Sequence, residues 1–179
     1  MKETTATKKT SSNNKVKTLL LIRHAKSSWG DVSVNDFERT LNDRGKKDAP
    51  AMARRIMNKQ VSIDAILSSP AKRAKKTALF FAEEYNLDEN SIVYKTELYA
   101  APSEVFNDVI KTIDNSFSHV ALFSHNPGIT EFANTLTDIR VDNMPTCSIF
   151  AVKLNIKDWN EFQDAKKEFL FFDYPKLEE

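Results

Sequence analysis

Arg23, His24, Arg73 and His125 are the side chains of this chain whose types and settings suit chemistry, and the chemistry they suit is the handling of a phosphoryl group. An Arg guanidinium matches a phosphate dianion with two parallel N–H···O bonds, and an imidazole can attack phosphorus as a nucleophile. A phosphoryl group in transfer spreads negative charge over its equatorial oxygens, so it needs positioned cations more than covalent help. One Arg-His dipeptide is a common accident. What sets these four residues apart is that each closely follows an apolar run.

Leu19-Leu20-Leu21-Ile22 runs into Arg23-His24, Ile63 to Leu67 runs into Ser68-Ser69-Pro70, and Val120-Ala121-Leu122-Phe123 runs into Ser124-His125-Asn126. A continuous apolar run reads as a strand buried on both faces of a parallel sheet, and in such sheets ligands bind beyond the carboxyl ends of the strands. Three strand ends therefore deliver their polar residues to one sheet edge. Pro70 suits the first turn of the helical pattern that carries Arg73, where backbone N–H groups and the macrodipole already favour an anion.

In their order and spacing, Leu21-Ile22-Arg23-His24-Ala25-Lys26-Ser27, Asp36-Phe37-Glu38-Arg39-Thr40-Leu41 with Arg44-Gly45, Ser68-Ser69-Pro70-Ala71-Lys72-Arg73-Ala74 with Thr77-Ala78, and Ser124-His125-Asn126-Pro127-Gly128 resemble the histidine phosphatase superfamily, most closely its small SixA-like phosphohistidine phosphatase branch. The resemblance covers about residues 17 to 155. It implies a phosphoglycerate mutase-like fold in which His24 becomes phosphorylated while Arg23, Arg73 and His125 hold the phosphoryl oxygens. It implies no metal and no cofactor. Ala25 stands where the wider superfamily has Gly, as it does in the smaller branch.

His24 must attack as the neutral imidazole, with its other ring nitrogen held by a hydrogen bond, expected to a backbone carbonyl in the following turn. His125 is expected to work protonated, so the two pKa values are expected to move in opposite senses. Larger members of the superfamily carry an acidic residue that protonates the leaving oxygen, and Glu97 is the candidate here. Phosphohistidine departs with little help once its nitrogen is protonated, whereas an alkyl phosphate needs a donor more. Lack of a strong acid thus favours protein phosphohistidine, with a small-metabolite phosphomonoesterase or a non-catalytic phosphate-binding module as the alternatives. Ser27, Arg39 and Asn126 are possible accessory residues, although Asp36, Glu38 and Arg39 also read as a local charge cluster closing a loop. Cys147 reads as a packed thiol and His119 as an ordinary strand-end residue.

At 179 residues, 41% hydrophobic and a formal net charge of +1, the chain has the profile of one globular domain, with no expectation of nucleic-acid or membrane binding. One Cys precludes an internal disulfide, and a cytoplasmic setting is the default. Lys72, Lys75 and Lys76 around Arg73 either steer anionic substrates or form a solvated helix face. Residues 1–16 read as a flexible tail, 17–173 as the domain and 174–179 as a C-terminal tail; nothing indicates the oligomeric state. Alternating strands and helices predict an α/β fold, a three-layer α/β/α domain around a mostly parallel mixed sheet. Strands are expected at 17–23, 63–68, 91–95, 118–124 and 147–154, with a last edge strand over 167–172. Helices are expected at 44–58, 70–86, 102–114 and 127–137, the first beginning near Asp48 so that Pro50 falls in its first turn.

Overall fold

The computed structural model describes residues 15–29 and 33–177; residues 1–14 of the expected tail, and Gly30, lie outside them. Four parallel strands, β1 (Lys15–Arg23), β2 (Ala65–Ser68), β3 (Val93–Tyr94) and β4 (His119–Ser124), are completed by the antiparallel β5 (Ile149–Ile156) and β6 (Lys167–Asp173). The sheet order is β3-β2-β4-β1-β5-β6. Its register sets the site: Arg23 lies beside Ser124, and Ser68 beside Phe123, so β1, β2 and β4 finish level at one edge. Val120 to Phe123 is fully buried, as a strand covered on both faces requires.

Side-chain alternation along β1 divides the core. Leu19 and Leu21 pack on one face with α3 (Val105–Ile110), α4 (Gly128–Leu136), Trp159 and Phe162. Leu20 and Ile22 pack on the other with α1 (Asp43–Asn58) and α2 (Lys72–Glu84). A fully buried Leu contributes about 1.5–3 kcal/mol by leaving water, so this double-sided strand is the natural centre of the domain. The expected three layers are present. Among the described residues, no helix is long and apolar enough to cross a membrane.

Several boundaries differ from expectation. α1 starts at Asp43, not near Asp48, because the Asn42 side chain accepts the Gly45 N–H at 2.9 Å and caps the turn. Pro50 is therefore inside the helix, on a half-buried flank, and Lys46 loses its usual donor there. α2 begins at Lys72, two residues after Pro70. The third helix is shorter than 102–114, ending in turns after Ile110. At the other end of the chain, Asp173 is buried between Arg55 (2.9 Å) and Lys59 (3.0 Å), and Arg55 also donates to the carbonyls of Tyr174 and Pro175. The start of the expected C-terminal tail is thus fastened to α1.

Two glycines set the approach of helices to the site loops. A Cβ on Gly45 would lie 2.1 Å from the Lys26 carbonyl oxygen, and one on Gly128 would lie 1.8 Å from that of Ala101. Both neighbours are backbone, which cannot swing aside. Gly45→Ala and Gly128→Ala are each expected to destabilise the protein by about 1–3 kcal/mol, the usual cost of overpacking, read as a lower urea midpoint at unchanged slope. An unchanged midpoint would show that these approaches are loose.

Candidate active site

Backbone geometry at the end of β1 comes first. The Cys147 N–H is shared between the carbonyls of Arg23 and His24 at 3.1 Å each, and the Ala25 N–H donates to Thr77 Oγ1 at 3.0 Å. Thr77 in turn donates to the Arg73 carbonyl at 2.7 Å, which couples the strand end to α2. Cys147 makes its two-way contact from the left-handed region, at φ 62°. Its thiol is fully buried, and burial pushes its pKa up, so it stays a packed thiol.

His24 Nδ1 lies 2.8 Å from the Ala25 carbonyl oxygen. A carbonyl accepts only, so Nδ1 carries the proton and Nε2 keeps its lone pair. That Nε2 accepts from Arg73 Nε at 3.2 Å, at a cavity of about 290 Å³. The acceptor that sequence reasoning placed in the following turn is the very next residue.

The cavity is lined by Arg23, His24, Ser27, Arg39, Arg73, His125 and Asn126, together with Lys26, Trp29, Asp36, Ala100 and Thr146. Every site residue expected from the sequence is therefore gathered there except Glu97. The short turn Thr96–Leu98 buries Leu98 and so directs Glu97 outward, where its carboxylate meets the Thr96 hydroxyl at 3.3 Å. The carboxylate that does line the cavity belongs to Asp36. It receives Arg73 Nη2 (2.9 Å), Arg39 Nη1 (2.7 Å) and the Tyr99 hydroxyl (2.8 Å). Burial works to raise its pKa, but the bonds from Tyr99 and Arg73 and the Arg73 charge outweigh burial and hold it at about 2.

Arg23 Nη1 donates to the Met144 carbonyl at 2.7 Å, and His125 Nε2 faces Ser69 Oγ at 2.7 Å. Arg23 Nε, His125 Nδ1 and Ser148 Oγ are buried without a hydrogen-bond partner. Buried polar groups are nearly always partnered, so the two of these atoms whose residues line the cavity, Arg23 Nε and His125 Nδ1, suit the binding of an oxyanion there. The two imidazoles are neighbours, with ring centroids 5.0 Å apart. Ser27 and Asn126 serve the surroundings: Ser27 accepts from Arg39, while Asn126 donates to the Met144 carbonyl and accepts from Thr130.

One expectation is overturned. The two histidines do not move apart; both are pushed down. Burial, then the His125 ring and the Arg73 and Arg23 cations, lower His24 well below 6.5, against the bond to Ala25. Burial, then Arg73 and Arg23, lower His125 to about 3, with Asp36 opposing. The expectation takes a phosphate anion as the partner of His125, whereas its own setting is buried and beside the Arg73 and Arg23 charges.

The contribution of sequence neighbours outside the four core residues was harder to foresee. Asp36 was legible only as part of a charge cluster, and Tyr99 carried no signal. Trp29 is an aromatic residue in a loop, outside any hydrophobic period.

The family model described as histidine phosphatase superfamily (branch 1) matches residues 19–98. An uncharacterised chloroplast protein of Arabidopsis thaliana is 26% identical over 151 residues, 80% of this chain and 69% of that one. Phosphoserine phosphatase 1 of Hydrogenobacter thermophilus is 40% identical over 72 residues, which is 39% of this chain and 33% of that enzyme. Among solved structures, the protein histidine phosphatase SixA bound to tungstate superimposes with a TM-score of 0.74 at 21% identity, covering 88% of this chain and 97% of SixA. A protein of Agrobacterium tumefaciens thought to be the phosphohistidine phosphatase SixA gives 0.72 at 26% identity, covering 89% and 98%.

The depressed imidazoles make stability depend on pH with a defined sign. Above about 6.5 the histidines are neutral in both states and contribute no slope; below it the unfolded chain takes up protons that the folded protein refuses, so stability falls as pH falls toward 3. Urea unfolding between about pH 7 and pH 5 should show this fall, and saturating inorganic phosphate should reduce it by giving a protonated His125 an anionic partner. A His125 that titrates near 6.5 by NMR in the phosphate-free protein would contradict the assignment.

Proposed function

We propose that the chain, whose residues 19–98 match the histidine phosphatase superfamily model, is a phosphatase in which His24 takes the phosphoryl group from the substrate and passes it to water, with protein phosphohistidine as the substrate. The observation that carries this is the state of His24: Nδ1–H bound to the Ala25 carbonyl, and the Nε2 lone pair turned to a cavity shared with Arg23, Arg73 and His125. Attack by Nε2 forms the N–P bond as the bond from phosphorus to the leaving atom breaks. Arg23 and Arg73 meet the charge on the equatorial oxygens. His125, held neutral by burial and the arginines, gains a proton when the dianion enters and then donates from Nδ1 to a phosphoryl oxygen. Water then attacks the phosphohistidine formed on the enzyme, releasing phosphate and restoring His24.

The choice of phosphohistidine rests on proton supply. Among the described residues the carboxylate at the cavity is that of Asp36, held ionised by its cationic and phenolic partners, and Glu97 faces away. A protonated imidazole leaving group needs no acid from the enzyme, whereas an alkoxide does. The second reading, a phosphatase for a small phosphate ester, is favoured by the 40% identity with phosphoserine phosphatase 1 across the segment shared with it.

Phosphate release from a phosphohistidine-bearing protein, an aryl phosphate and phosphoserine tests both readings. His24→Ala should abolish release, and Arg23→Ala or Arg73→Ala should lower kcat by about 10²–10³-fold, the usual loss for a transition-state donor. Preference for phosphohistidine supports the first reading, and preference for phosphoserine the second. Phosphate binding without release from any of the three would replace both with a non-catalytic module.

A further inference from the structure

The rim of the cavity carries a feature that phosphoryl chemistry does not use. Trp29 lines the cavity, yet it is 74% exposed, the most exposed large apolar side chain among the described residues. One face of its ring lies on the Arg39 guanidinium, with Cζ 3.4 Å from the ring centroid. Arg39 is itself fixed by Asp36 (2.7 Å), Ser27 Oγ (2.6 Å) and the Ser28 carbonyl (3.0 Å). The ring is therefore set on an anchored support and faces solvent beside the phosphate cradle. A large aromatic surface left in water at the mouth of a polar site is a surface for a ligand, because covering it releases water and aromatic faces stack well.

In-line displacement tells which part of the ligand would meet it. The attacking nitrogen and the leaving atom stand on opposite sides of phosphorus. His24 is 6% exposed at the cavity floor, so the leaving group points to the open rim, where Trp29 is. We infer that Trp29, supported by Arg39, is the subsite for the leaving group and selects substrates whose leaving group is a planar aromatic ring, an imidazole or an aryl group, over those with an alkyl one. This rests on the phosphatase reading for its catalytic consequence, though not for the contact itself. The stack would also set the substrate's approach, since a ring lying flat on Trp29 turns its phosphoryl group inward.

The chain has two Trp residues, and the other, Trp159, is fully buried with its Nε1–H on the Phe117 carbonyl. Acrylamide quenching of fluorescence thus reports Trp29. Phenylphosphonate, which cannot be hydrolysed, should protect the quenchable fraction, and methylphosphonate at equal occupancy should not. In turnover, Trp29→Ala should raise KM for phosphohistidine protein and aryl phosphate by about three- to tenfold, the range for one aromatic stack, and raise that for phosphoserine by clearly less; Trp29→Phe should recover most of the loss. Protection by phenylphosphonate in a protein that hydrolyses nothing would uphold the subsite and remove the phosphatase reading. Equal effects of Trp29→Ala on aryl and alkyl substrates, or no protection by phenylphosphonate, would overturn the subsite, leaving Trp29 as a cover for Arg39 while the phosphatase reading stands.

Discussion

Crowding of positive charge in a pocket shielded from water is the constraint on which this structure depends. Three guanidinium groups, the Lys26 side chain and two imidazoles line one cavity, and among the described lining residues the carboxylate is that of Asp36. Charges of one sign at such distances disfavour each other's ionised forms, and burial adds to the penalty. The arginines cannot yield a proton at ordinary pH, so the histidines stay neutral instead. Neutrality is what a nucleophilic imidazole needs. The same crowding leaves a demand for negative charge that a dianion would satisfy, so the conditions that keep His24 neutral would also favour an anion beside it.

Holding these groups together against their mutual repulsion falls to the backbone and to α2. Cys147 clasps the carbonyls of Arg23 and His24, Thr77 joins Ala25 to the Arg73 carbonyl, and Asp36 fixes the Arg73 guanidinium through both its side chain and its carbonyl. These contacts hold the side chains that line the cavity in place, and a site of preset dipoles and charges needs little rearrangement as charge develops.

The sheet and the four core residues were legible in the sequence because their signals are local: apolar runs of strand length, each followed by polar residues of unusual type. Arg23, His24, Arg73 and His125 could be placed at one edge once the strands were read as parallel. Less visible was whatever depends on pairing across the chain. The start of α1 turned on Asn42 as a cap, which outweighed the presence of Pro50. The direction of the His125 shift turned on its burial and then on the Arg73 charge, both of which arise only in three dimensions. Asp36 looked like a loop acid and is one, yet Tyr99 and Arg73, far away in sequence, make it part of the cavity wall.

The level ending of β1, β2 and β4 carries a consequence for how the pocket comes into being. β1 pairs with β4 across the intervening β2 and β3 in the chain, and β4 takes β2 on its other side. Such non-local pairings close late and slowly, because the loop entropy is lost before the contacts form. The segment 19–98 that bears the family pattern contains His24 and Arg73 but not His125, nor the Cys147 that clasps the end of β1. A partly made chain can therefore carry the matched segment before the cavity that gathers His24, Arg73 and His125 exists, and that cavity is assembled only when the sheet closes.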